Sequence, residues 1–138
     1  MEQKIILASH GKLASGMLSS LELICGKNEK ISALDCYLTE EFDLSQEVMQ
    51  VVEDTKNNEV VVITDLFGGS VNNEFLAYVN LPNFYLVAGL NLPFLIEFTT
   101  KPFYGSIEET IKLVLESSKE TIQFCNETIQ TELIEEEF

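Results

Sequence analysis

Apolar positions along this chain follow two spacings. Ile5-Ile6-Leu7-Ala8 is a short unbroken apolar run, which suits a strand covered on both faces. Ala14, Met17, Leu18, Leu21, Ile24 and Cys25 then recur at helical spacing, and Gly26 follows as a stop. Ile31 to Cys36 reads as a second strand. Asp43 is placed to cap a helix whose inward face carries Leu44, Val48, Val51 and Val52, and Asn57-Asn58 breaks it. Val60-Val61-Val62-Ile63 is β-branched throughout and is the clearest strand. A Gly-Gly loop follows, then a helix with Val71, Phe75, Leu76 and Val79 on one face. Phe84 to Ala88 reads as a fourth strand.

The alternation β-α-β-α-β-α-β predicts an α/β fold: an open, mostly parallel, doubly wound sheet with helices on both faces. Beyond it, Asn91-Leu92-Pro93 looks like a helix start with proline in the first turn. Ser106-Ile107-Glu108-Glu109 has the form of a capping box, and the helix it opens shows Ile107, Ile111, Val114 and Leu115. Thr121 to Cys125 is a candidate final short strand. The domain is expected to span residues 1–126, with Glu127 to Phe138 an acidic tail that is either a frayed helix or disordered.

Composition narrows the function. The chain has 138 residues, 23 acidic residues and a formal charge of −15; its 8 basic residues are all lysine. Such a surface repels phosphate backbones, so nucleic acid is excluded as a partner, whereas a basic protein partner would be steered toward it. Most of the charge reads simply as a solvated face. Cys25, Cys36 and Cys125 are scattered and odd in number, which fits a reduced compartment rather than a disulfide framework. Cys25 and Cys36 read as ordinary buried thiols. No metal-ligand spacing and no signal peptide are seen, and no apolar run approaches the roughly 18 residues of a membrane span. A cytoplasmic protein is expected, with no metal and no cofactor.

His10, the only histidine, stands where the first apolar run gives way to a loop. Open parallel sheets bind ligands beyond the carboxyl ends of their strands, where strand order reverses. With a strand order of 2-1-3-4, the reversal falls between the first and third strands. His10 would then face Asp65, which follows the third. A carboxylate bonded to one ring nitrogen fixes the tautomer and leaves the other nitrogen its lone pair, as a nucleophile or a general base. Gly68 and Gly69 let the backbone approach a ligand, and Ser70 can cap the following helix or hydrogen-bond an oxyanion; together they make a candidate phosphate cradle. The loop is neither a Walker A nor a GxGxxG motif, so nucleotide binding is unsupported. Each residue singly also has a plain structural role open to it: a strand-end histidine, a loop aspartate capping amides, a Gly-Gly-Ser turn. Their convergence on one crevice favours function. Phe67 would be a docking contact if exposed and core if buried.

The segments "ASHGKLASGM", "VVVITDLFGGSVNN" and "GLNLPFLIE" resemble, in sequence and spacing, the mannose-type enzyme IIA domains of the bacterial phosphoenolpyruvate-dependent sugar phosphotransferase system. The likeness runs from about residue 3 to about residue 126. It implies that His10 accepts a phosphoryl group from the carrier HPr and passes it to enzyme IIB, with Asp65 orienting the ring and Ser70 and the loop amides of Gly68 and Gly69 holding phosphoryl oxygens. It implies a homodimer with a 2-1-3-4 parallel core and a final antiparallel strand, here Thr121 to Cys125, that is exchanged between subunits in some members. Membrane contact would be indirect, through the IIC/IID permease. Where some members have proline after Gly-Gly-Ser, this chain has Val71, which fits an early helical turn. The chain has no Ala/Pro-rich linker and so looks like a stand-alone IIA subunit. Met17 and Phe67 are the candidate docking residues. Two alternatives stay open: a phosphocarrier serving a dihydroxyacetone kinase, and a non-catalytic anion-binding regulatory module.

Overall fold

The structure, a computed structural model, describes residues 1–101 and 105–129. It divides into two compact units, residues 1–96 and 97–138. The first contains strands β1 (Glu2–His10), β2 (Ile31–Cys36), β3 (Asn58–Thr64) and β4 (Phe84–Ala88). Between them run helices α1 (Leu13–Cys25), α2 (Leu44–Glu53) and α3 (Ser70–Leu76), with a 3₁₀ turn at Asp54–Lys56. The strands form one sheet of order β2-β1-β3-β4, every neighbouring pair parallel. The topology is the expected doubly wound one.

Register explains why the pattern folds this way. Ile5 pairs with Val61 and Leu7 with Ile63, while Ile6 pairs with Val62 and Ala8 with Thr64. Side chains alternate faces along a strand, so one face carries Ile5, Leu7, Val61 and Ile63, and α1 packs there against β1 and β2. On the other face Ala8, Cys36, Val60, Val62 and Phe84 form a core with Val48 and Val52 of α2 and Val71 and Phe75 of α3. Both faces are dry, which is why β3 reads as unbroken apolar sequence. Val60 to Ile63 are fully buried, each contributing about 1.5–3 kcal/mol relative to exposure.

Caps follow the sequence at most helix starts. Asp43 Oδ1 accepts from the Gln46 N–H at 3.2 Å, and Asn91 Oδ1 accepts from the Phe94 N–H at 2.9 Å at the start of α4 (Leu92–Thr100). Ser106 Oγ accepts from the Glu109 N–H at 3.2 Å and opens α5 (Ile107–Lys119). Of that helix, Ile107, Thr110, Ile111, Val114 and Ser118 are buried.

Several expectations change. β1 extends through His10, so the histidine is the last strand residue rather than the first of the loop. Cys25 is exposed, at the last position of α1 before the Gly26 cap; Cys36 alone of the pair is buried. Leu76 and Val79 are exposed, since α3 ends at Leu76 and its buried face is Val71, Asn72 and Phe75. Residues 121–125 form no strand, and no fifth strand exists among the described residues. Two of their backbone groups are used locally. The Thr121 N–H returns to the Ser118 carbonyl, and the Phe124 carbonyl accepts from Glu127 and Thr128 in a helical turn over 125–129. The rest of the acidic tail, 130–138, lies outside the described residues.

Candidate functional site

The strand order brings the carboxyl ends of β1, β2 and β3 side by side, and each end supplies one residue to a cluster. The ladder holds these ends beyond the strands themselves: the Gly11 N–H bonds the Cys36 carbonyl at 2.8 Å, and the Asp65 N–H bonds the Ala8 carbonyl at 3.1 Å. His10 is thereby clamped from both neighbours. Gly11 turns the chain away with φ 59°, a left-handed conformation in which glycine carries no Cβ penalty.

Asp65 Oδ2 lies 2.8 Å from His10 Nδ1 and accepts the His10 backbone N–H at 2.9 Å, while Oδ1 accepts the Leu66 N–H at 3.0 Å. The carboxylate side chain is 7% exposed against 44% for the imidazole. Burial pushes the carboxyl up, but the hydrogen bonds from the His10 amide, the His10 ring and the Leu66 amide outweigh it, and the net shift is downward. Asp65 is therefore an ionised acceptor. An ionised carboxylate has no proton to give, so Nδ1 carries the hydrogen, and in the neutral ring Nε2 keeps its lone pair.

Nε2 points to Ser70 Oγ at 3.2 Å, and Ser70 Oγ lies 2.8 Å from the Tyr37 hydroxyl. Ser70 is the first residue of α3; the cap is Gly69, and the Ser70 side chain makes no cap bond. Of its two expected roles, the hydroxyl is thus free of the capping one and turned to the histidine. The early amides of α3 lack carbonyl partners one turn back within the helix. The start of α1 is different. There Ser9 Oγ accepts the Ala14 N–H at 2.7 Å and Asp35 accepts the Ser15 N–H at 3.0 Å, so the chain's own groups use those donors.

Gly68 has φ 83°, and Gly69 passes so close to the histidine that a Cβ there would stand 3.4 Å from His10 Cε1. His10, Asp65, Gly69 and Ser70 thus converge as expected. Phe67 is 81% exposed and so is not core, and Leu66 beside it is exposed too. Met17 is half-buried on α1 and takes no part in the hydrogen-bonded cluster.

Tyr37 is the residue that sequence reasoning missed. It follows β2 directly, its backbone has φ 65°, and its ring centroid lies 5.5 Å from that of His10 and 5.4 Å from that of Phe42. A left-handed conformation at a bulky residue costs on the order of 1–3 kcal/mol and clusters at functional sites. The signal was available: with strand order 2-1-3-4, the residue after β2 flanks the residue that ends β1. Cys36, next to it, is inert. Burial, and then the Asp65 charge, pushes its thiol up to about 11, so it stays protonated. Among the described residues no group of three His, Cys, Asp or Glu side chains is placed to hold a metal, and no helix is long and apolar enough to cross a membrane.

Comparison with known proteins gives the family and the fold. The family model for the fructose IIA component of the phosphotransferase system matches residues 4–115. The sorbose-specific EIIA component of Lacticaseibacillus casei is 25% identical, over 98% of this chain and 99% of its own. The mannose-specific EIIAB component of Escherichia coli is 24% identical over 86% of this chain, which covers 38% of that longer protein. Among solved structures, a protein from Klebsiella pneumoniae described as a sugar phosphotransferase system permease superposes with a TM-score of 0.89. It is 45% identical, with 94% of this chain and 95% of that one covered. The mannose/sorbose-specific IIA subunit of Enterococcus faecalis gives a TM-score of 0.73 at 28% identity, covering 89% and 94% of the two chains. With a matching model over most of its length and the fold in accord, the chain belongs to the mannose-type enzyme IIA family of the sugar phosphotransferase system.

Proposed function

We propose that this protein is a phosphoryl carrier whose His10 Nε2 takes a phosphoryl group from phospho-HPr and gives it to enzyme IIB during sugar import. In the first transfer a P–N bond to Nε2 forms as the P–N bond of the donor breaks; the second transfer reverses the roles. The observation that carries this reading is the 2.8 Å contact between Asp65 Oδ2 and Nδ1, which leaves Nε2 as the nucleophile. Asp65 orients the ring and stabilises the cationic charge that develops on it. Ser70 and the loop amide at Gly68 are suited to hold the phosphoryl oxygens; the Gly69 N–H, expected to join them, instead bonds the Leu66 carbonyl at 3.3 Å within the turn, and Gly69 serves by leaving room beside His10. The chain has no arginine, so hydroxyls, backbone amides or lysine must do that work. Leu66 and Phe67, with the exposed Leu38 and Tyr37 across the crevice, offer an apolar rim for a partner that must come and go. Met17 would extend that rim. The protein would act in the cytoplasm as a homodimer and meet the membrane only through the IIC/IID permease. The named sugar-system relatives favour import over dihydroxyacetone phosphorylation.

The test is incubation with phosphoenolpyruvate, enzyme I and HPr, followed by intact mass at neutral or alkaline pH. A gain of one phosphoryl mass that acid removes, and that His10→Ala lacks, is expected. No gain in folded protein, with HPr demonstrably charged, would sink the carrier reading and leave an anion-binding module.

A further inference from the structure

We propose that Tyr37 is a positioning residue for the transfer: its hydroxyl donates to Ser70 Oγ and thereby commits the one proton of Ser70 to the His10 side of the crevice. The claim rests on the carrier reading above, and follows from counting protons along one chain of contacts. Asp65 is ionised, so in the neutral ring, the form that can attack phosphorus, Nδ1 carries the hydrogen and Nε2 is an acceptor only. The 3.2 Å contact from Nε2 to Ser70 Oγ therefore takes the Ser70 proton. A hydroxyl has one proton, so the 2.8 Å contact between Ser70 and Tyr37 must be donated by the tyrosine. The relay runs Tyr37 O–H to Ser70 Oγ, Ser70 O–H to His10 Nε2, and Nδ1–H to Asp65.

The relay has a use in both states of the carrier. Before transfer, the Ser70 proton lies on the lone pair that must attack, and it has to move off as phosphorus arrives. A phosphoryl oxygen entering beside Nε2 is the acceptor nearest to hand. Because Tyr37 holds the other side of Ser70 Oγ, the Ser70 O–H keeps its proton and swings its hydrogen bond to that oxygen rather than away toward the tyrosine. Donation by Tyr37 also polarises the Ser70 O–H and makes it a stronger donor to the new negative charge. Two further features fit a placed residue rather than an accidental contact. The backbone of Tyr37 is held at φ 65°, which an aromatic residue adopts only under constraint. Its ring is pinned edge-on against Phe42 and tilted against the imidazole, so the hydroxyl is aimed by packing.

Tyr37→Phe tests this, because it keeps the ring and removes only the donor. His10 is the sole histidine, so ¹⁵N spectra of the full chain report one imidazole. In Tyr37→Phe the Nε2 resonance is expected to move toward that of a lone pair without a hydrogen bond, with Nδ1 unmoved. Phosphorylation by phospho-HPr should slow about tenfold in kcat with KM little changed, and the phosphohistidine should hydrolyse at a different rate. In a Ser70→Ala background, adding Tyr37→Phe should change nothing further. An unmoved Nε2 resonance overturns the relay, as does an equal effect of Tyr37→Phe with and without Ser70. A shifted resonance with an unaltered transfer rate overturns the positioning role. The spectra need no phosphoryl donor, so failure of the carrier reading leaves this result readable.

Discussion

Asp65 decides which nitrogen of His10 is available, and its charge is needed as well as its shape. Asp65→Asn keeps the size of the side chain but offers an amide in place of the carboxylate, so it no longer fixes the Nδ1–H tautomer or balances charge on the ring. Loss of such a partner is expected to lower the rate of phosphorylation about 10²-fold or more, measured as mass gain against time. The same group imposes a pH signature. Its pKa is lowered in the folded protein, so its stabilising contribution is fully present above the ordinary carboxyl value of about 3.9 and disappears as pH falls through the lower folded value. Denaturant midpoints of wild type and Asp65→Asn should therefore differ above about pH 4 and converge below it; a constant gap would show that the charge is not what stabilises. At this scale the sequence was informative where strand order alone determines the neighbour, as for His10 with Asp65. The same strand order placed the residue after β2 beside His10, but Tyr37 was passed over because it lies outside any recognised motif and its φ of 65° leaves no periodic signature.

The loop between β3 and α3 separates two ways in which glycine matters. At Gly68 a Cβ would meet nothing, yet φ is 83°, so Gly68→Ala is strained and should cost about 1 kcal/mol or more of stability. At Gly69 the backbone is ordinary, but a Cβ would come within 2.9 Å of Leu66 Cδ2 and 3.4 Å of His10 Cε1. Leu66 is exposed and can swing aside, so Gly69→Ala should spare stability while crowding the approach to Nε2. Denaturant melts beside transfer rates distinguish the two; equal losses in both assays for both variants would contradict the assignment. Behind the loop, Thr64 donates to Asn72 Oδ1 at 2.7 Å with both residues buried, which ties α3 to the end of β3. Thr64→Val would leave that amide oxygen without its donor and should cost about 1–3 kcal/mol. These elements were legible as elements because two dry sheet faces force continuous apolar strands, and capping residues mark helix starts. The exposure of Leu76 and Val79 was not legible, because apolar spacing does not reveal that α3 stops after a short run. Nor was the fate of 121–125, where the Thr121 N–H turns back to the Ser118 carbonyl and the Phe124 carbonyl starts a helical turn.

Across the whole molecule, an overall charge of −15 surrounds a site that must receive a negatively charged phosphoryl group. Repulsion of the group by itself would slow the encounter. The phosphoryl group arrives on a protein, however, and a donor with a basic rim would be drawn to the acidic surface while its phosphoryl end meets the amides and hydroxyls of the crevice. Contact would then rest on the apolar rim, where Phe67 stands out from the surface and makes no demand on the core. The two contributions have different signatures. Steering acts on association and is screened over about 8 Å at physiological ionic strength. Raising salt from about 50 to 500 mM should lower kcat/KM for transfer from phospho-HPr several-fold and leave kcat alone. Apolar contact resists salt, so Phe67→Ala should raise KM about tenfold at either ionic strength, with the fold and the thermal midpoint unchanged. A kcat/KM that rises with salt would mean that net repulsion governs the encounter and that the acidic surface is only a solvated face. A Phe67→Ala variant with wild-type KM would move the docking contact away from the β3–α3 loop, leaving Tyr37 and Leu38 on the opposite wall of the crevice as the apolar residues to probe next.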